Sequence, residues 1–177
     1  MTNYGELLLS AKRKRKKASR FGPVALFLVP VAAILFQVYV PLFSAYLAYL
    51  ELPLLVTVYF GLMRRRPAAG VFYGAAIGLA QDSLSHHPIG MFGIVKTLVG
   101  YFSASVSVRF DVDNPVARFI LADFFYCFHQ FFYWVLGRAL LGSVLDFKVS
   151  QTLLLGILNA TVAVPLFELL DKLRDRG

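Results

Sequence analysis

Few side chains in this sequence have acid–base or ligand chemistry, and most of them lie inside apolar runs. Asp82 and Lys96 flank a short polar turn, Ser85-His86-His87-Pro88. Asp123, His129 and Gln130 lie in an aromatic run, and Asn159 lies near the middle of the last apolar stretch. Charges within membrane helices cost several kcal/mol unless paired or solvated. At about 1.5 Å per residue, Asp82 falls roughly 22 Å from the inner face of a core about 30 Å thick. Lys96 falls roughly 10 Å below the outer face. Those depths nearly coincide, so an Asp82–Lys96 ion pair across a helical hairpin is expected. A pair that fixes helix docking is preferred to a ligand or proton site, because one pair is not a relay.

The remaining candidates read as structural. Asp123 and Gln130 are seven apart and share a helix face, with His129 pointing elsewhere. Asp123 and Asn159 are expected to meet near the midplane, as an interhelical hydrogen bond worth about 0.6–2 kcal/mol. A polar pocket there is the sharper alternative. Adjacent His86 and His87 do not converge on one metal, and no Cys or acid stands at ligand spacing, so neither metal nor cofactor is expected. No serine has a His and Asp set in its layer, and no glycine-rich phosphate loop is present, so no enzyme activity is expected. The single cysteine, Cys127, excludes an intrachain disulfide and reads as a small buried hydrophobe.

The elements that position these residues are long and apolar. The chain has 177 residues, 58% of them hydrophobic, with a mean hydropathy of +0.66. Apolar runs of about 20 residues recur along it, which places it in a bilayer. Spans are expected at about 21–40, 53–63, 68–84, 89–108, 115–141 and 150–170. The second is short and could reach back to Phe43. Tyr46, Tyr49 and Glu51 read as an interfacial outer loop. Gly70, Gly74 and Gly78 form a ladder on one face of the third span, Gly90 opens the fourth, and Gly100 lies near its end. Small residues four apart allow close helix approach, so these five glycines are candidates for helix packing or partner binding.

Charge sets the orientation. Seven of the eighteen Lys and Arg residues lie between Lys12 and Arg20. With six spans, fifteen basic residues fall on the side of the termini and two, Arg138 and Lys148, on the other. That bias puts both termini in the cytoplasm. The net charge of +8 does not point to nucleic acid, because the basic run leads directly into a span. The run reads as an anchor touching anionic lipid. The expected organisation is a basic cytoplasmic arm at 1–20, one membrane domain at 21–170 and a cytoplasmic tail at 171–177. The fold class is all-α, a six-transmembrane-helix bundle. The N-terminus does not resemble a cleaved signal, and no repeat or linker is seen.

Order and spacing then carry a resemblance. Pro53, the basic turn Arg64–Pro67, Gly78 with Asp82, Ile89-Gly90 and Gly100-Tyr101 follow in the pattern of the rod shape-determining protein MreD family. Asn159 and Pro165 resemble that family's closing helix. The similarity covers roughly 53–101 and 152–174; the longer basic arm and Lys96 depart from it. The resemblance implies a bundle similar in fold to the substrate-binding subunits of energy-coupling-factor transporters. It implies a non-enzymatic scaffold of the elongasome in the bacterial inner membrane. The implied partners are the single-span protein MreC and, through it, MreB filaments, the RodA glycosyltransferase and its partner transpeptidase. A substrate-binding subunit of a vitamin transporter is the alternative, with Asp82, Lys96 and the fifth-span aromatics lining a pocket.

Overall fold

The computed structural model describes residues 20–40, 45–85, 90–142 and 146–175. Among the described residues six α-helices follow in order: α1 Pro23–Tyr39, α2 Leu52–Arg64, α3 Pro67–Leu84, α4 Met91–Val106, α5 Pro115–Leu141 and α6 Val149–Asp171. A 3-10 turn, Ala45–Tyr49, precedes α2. Two short strands, β1 Arg20–Phe21 and β2 Arg174–Asp175, pair antiparallel and tie the start of α1 to the end of α6. The limits expected for the six apolar segments agree with the helix limits to within a few residues. The stretch His86–Ile89 and the basic run up to position 19 lie outside the described residues.

Proline and glycine set most boundaries. Proline stands in the first turn of α1, α2, α3 and α5, where its missing N–H is no loss. Asn114 caps α5, its Oδ1 accepting from the Val116 amide at 2.9 Å. Arg65, at φ 52°, turns the chain sharply out of α2 and into α3.

The core is built around α2. Every residue from Pro53 to Met63 is buried, and Leu54, Leu55, Val58, Tyr59 and Leu62 are wholly so. A 13-residue helix is about 20 Å long, short of a bilayer core of about 30 Å. Buried on all faces by its neighbours, α2 is a central strut rather than a lipid-facing span. The large side chains at the lipid-facing positions belong instead to the other helices, among them Phe27, Phe72, Ile120, Phe124 and Leu154.

Helices α3 and α4 are welded by glycine. A Cβ on Gly70 would strike the Gly100 carbonyl oxygen, one on Gly74 the Lys96 carbonyl, and one on Gly78 the Phe92 carbonyl. The paired positions step down α4 as they step up α3, so the ladder sets an antiparallel register without slack. Thus Gly70, Gly74, Gly78 and Gly100 are consumed inside the bundle. Gly90 has a different task. It has open space around its Cβ position and adopts φ +99° as the residue before α4, a conformation that favours glycine.

The end of the bundle carrying β1 and β2 is closed by charge and aromatics. Arg118 pairs with Asp171 at 2.5 Å and donates through Nε to the Val112 carbonyl at 2.8 Å. The Tyr59 hydroxyl donates to the other oxygen of Asp171 at 2.9 Å. Phe21 packs edge-on against Tyr59 and Phe60, with centroids 5.8 and 5.4 Å apart. Positions 20–21, 59, 118 and 171 are thereby held at one level.

Candidate functional site: a buried polar centre

The polar centre forms where the chain begins α2. Because α2 is short, the backbone at Tyr49 to Glu51 lies at the depth of the middle of α6, where lipid offers no hydrogen bonds. Irregular backbone at such depth is tolerated only when protein satisfies it. Asn159 does so. Its Oδ1 accepts from the Glu51 amide at 2.9 Å, and its Nδ2 donates to the Tyr49 carbonyl at 2.9 Å. A third bond, to the Leu155 carbonyl at 2.9 Å, fixes its rotamer. Its Oδ1 and one Nδ2 hydrogen hold the lead-in to α2, and the other Nδ2 hydrogen bonds within α6.

The same turn places Glu51 against Lys96. The ammonium, 0% exposed, lies 4.0 Å from Glu51 Oε2, 3.4 Å from His129 Nε2 and 4.3 Å from the centre of the Phe92 ring. Phe92, His129 and Tyr133 stack nearly parallel: Phe92 to His129 at 5.9 Å and Phe92 to Tyr133 at 5.0 Å. Cation, carboxylate, imidazole and ring face together compensate a charge that would otherwise be prohibitive in lipid. For the ammonium to donate, His129 must present an unprotonated Nε2 and carry its proton on Nδ1. The centre joins α2, α4 and α5 through Glu51, Lys96 and His129, while Asn159 brings in α6.

Asp82 is elsewhere, and the expected Asp82–Lys96 ion pair does not form. The glycine register places the Lys96 backbone opposite Gly74, about two helical turns before Asp82 on α3, and the Asp82 carboxylate turns to backbone amides at 90–93 rather than to the ammonium. Depth measured from the two membrane faces missed this, because it ignored the register that the ladder imposes. Asp82 instead receives the start of α4. Its Oδ2 accepts from the amides of Gly90 at 3.0 Å and Gly93 at 2.9 Å, and its Oδ1 from Phe92 at 3.1 Å. A carboxylate on one helix therefore satisfies amides that the next helix cannot satisfy itself, and it sits at the positive end of that helix dipole.

Asp123 and Asn159 do not meet either. Asn159 faces the lead-in to α2, while Asp123 lies over Gly156, where a Cβ would collide with its Oδ1. Glu51 is not an interfacial loop residue: its side chain is 15% exposed and faces the centre. Sequence reasoning missed Glu51 and His129 as the partners of Lys96. The available signal was the rule that a lysine inside a span needs an acid. Glu51 was passed over because Tyr46 and Tyr49 suggested the headgroup level.

Beside the centre, a cleft of about 370 Å³ opens between α5 and α6, lined by Tyr126, Gln130, Tyr133, Trp134, Lys148 and Gln151 among others. Gln130 donates to the Tyr126 hydroxyl at 3.1 Å. Two apolar grooves flank α1. One, of about 620 Å³, runs between Val29, Ala33 and Phe36 and the α6 residues Leu166 and Leu169. The other, of about 390 Å³, runs between α1 and the Phe72–Ala80 face of α3. Among the described residues, no three His, Cys, Asp or Glu side chains are grouped to hold a metal ion.

A helical membrane protein is what this arrangement defines. The stretch Tyr46–Arg64, which adds most of the 3-10 turn to α2, and the helices Pro115–Leu141 and Val149–Asp171 are each long and apolar enough to cross a bilayer. Its conspicuous polar side chains are mostly spent on holding helices to one another. The rod shape-determining protein MreD family matches residues 19–174, and the chain belongs to that family. No curated protein and no solved structure matches it.

Proposed function

We propose that this protein is a non-enzymatic scaffold of the bacterial elongasome that binds an MreC-like single-span protein in the inner membrane. On this reading all six helices cross the bilayer, with both termini cytoplasmic, in a bundle like the substrate-binding subunits of energy-coupling-factor transporters. The organisation is a basic arm at 1–20 on anionic lipid, a membrane domain at 21–170 and a tail at 171–177. RodA and its partner transpeptidase join through the single-span partner, and MreB indirectly. Membership of the MreD family across residues 19–174 carries the proposal. The geometry supports it: Asp82, Lys96 and Asn159, the side chains best suited to chemistry, are engaged in internal bonds that stiffen the bundle. A rigid membrane platform suits assembly.

The test is purification from native membranes in mild detergent at native expression, with mass spectrometry of what accompanies the protein. Recovery of an MreC-like protein with wall-synthesis enzymes supports the scaffold. The cleft of about 370 Å³ beside Tyr126 and Trp134 favours one second reading, a ligand-binding subunit of a vitamin transporter. Recovery of paired ATPases with a coupling membrane subunit would establish that reading instead.

A further inference from the structure

Most charged side chains within the bundle are accounted for by internal bonds; Asp123 is not. Asp82 receives three amides, Lys96 has Glu51 and His129, and Arg118 has Asp171. Asp123 has no hydrogen bond or ion pair among the described residues, and its Oδ1 is buried without a partner. It lies on α5 five residues past Arg118, about 7–8 Å further into the membrane. The side chain is too short to bring its carboxylate back to the interface.

The surroundings of Asp123 are lipid-facing. Its flanking neighbours Ile120 and Phe124 are 58% and 53% exposed, and across the seam Leu153 and Ile157 of α6 are 50% and 53% exposed. Gly156 on α6 provides the notch in which the carboxylate rests. The carboxylate thus rests over Gly156 on the α5–α6 seam, flanked by exposed apolar side chains of both helices. An acid in that position is costly without a counter-charge, and intramembrane acids of this kind pair with a cation. Among the described residues the fold supplies Asp123 neither a cation nor a donor, whereas Asp82 receives three amides and Glu51 and Asp171 face Lys96 and Arg118.

We propose that the α5–α6 seam at Asp123 is the seat of a transmembrane helix from a second protein, one carrying a lysine or arginine at the depth of Asp123. The incoming helix lies along Ile120, Phe124, Leu153 and Ile157, with its cation over the Gly156 notch. The inference rests on the scaffold reading for the existence of a membrane partner, and it adds the surface and the chemistry that recognises it.

The test uses the full chain in native membranes, with a benzophenone side chain introduced at Ile120 or Phe124 and, as a control, at Phe72 on α3. The expected result is a photo-adduct from Ile120 and Phe124, but not Phe72, to a protein with a basic residue in its span. Asp123→Ala lowers the adduct by about thirtyfold or more, as for loss of one member of a buried pair. Asp123→Lys abolishes it, and replacing the partner's basic residue by Asp in that background restores it. Substituting that basic residue while Asp123 stays intact gives the same loss, so the result does not depend on the Asp123 variants folding. Adducts to lipid alone, an adduct to a second copy of this chain, a partner without a basic residue in its span, or an adduct unchanged by Asp123→Ala would each overturn the proposal. If a wall-synthesis partner co-purifies but no adduct forms at Ile120 or Phe124, the inference fails and the scaffold reading stands. If no partner co-purifies at all, the scaffold reading fails.

Discussion

Asp82→Ala tests the idea that one helix caps the next. The substitution removes both acceptor oxygens and leaves the amides of Gly90, Phe92 and Gly93 without their partner. Phe92 and Gly93 are at buried positions, so water does not readily replace the carboxylate. A buried donor left unmade costs about 1–3 kcal/mol, and three at the low end come to about 3 kcal/mol. That is a large part of a stability of about 5–15 kcal/mol. Asp82→Asn is the informative control. With its carbonyl at the Oδ2 position it still accepts from Gly90 and Gly93, losing only Phe92, so its cost is expected at about 1–2 kcal/mol. Unfolding by detergent titration in mixed micelles measures both variants. Hydrogen exchange at Gly90 to Gly93 locates the effect, which should be a selective loss of protection at the start of α4. An Ala variant within about 0.5 kcal/mol of the parent would refute the capping account, as would an Asn variant less stable than Ala.

Other perturbations test the remaining joints. Gly74→Ala drives a methyl into the Lys96 carbonyl and should cost about 2 kcal/mol or more, whereas Gly22→Ala, with open space, should be near neutral; paired melting curves in detergent decide. Asn159→Leu leaves the Glu51 amide and Tyr49 carbonyl unsatisfied, for an expected loss of about 2–4 kcal/mol and faster exchange at Glu51. Lys96→Met strands Glu51 and should cost about 3–5 kcal/mol. Adding Glu51→Gln should recover part of that loss in a double-mutant cycle, and purely additive effects would show that the two side chains are not coupled.

How far the sequence could be read depended on the kind of signal. Helix limits were legible because proline and glycine act locally: Pro53, Pro67, Pro115 and Gly142 lie at or beside the helix ends. The glycine ladder was legible as a close contact, because residues four apart must share a face. Its partner was not, since nothing in Gly70, Gly74 and Gly78 states which helix approaches them. The candidate polar residues were also found, as any acid, lysine or asparagine in an apolar run is conspicuous. Their pairing was not. Lys96 was matched with Asp82 by depth, but the two differ by two turns once the register is fixed.

What the sequence determined by itself is therefore the one-dimensional content: membrane residence, helix limits, and the list of side chains that need a partner. Those follow from composition and from interactions within a few residues of one another. Only the tertiary structure decided that α2 is a buried strut and that Asn159 supports the chain leading into it. It also decided that Asp82 caps α4, that Lys96 belongs to Glu51 and His129, and that Asp123 is without a partner among the described residues. Those facts depend on contacts such as Glu51 with Asn159, 108 residues apart. Such contacts are set by how far helices slide and rotate against one another. That geometry is the joint result of every interface, and no local pattern of residues encodes it.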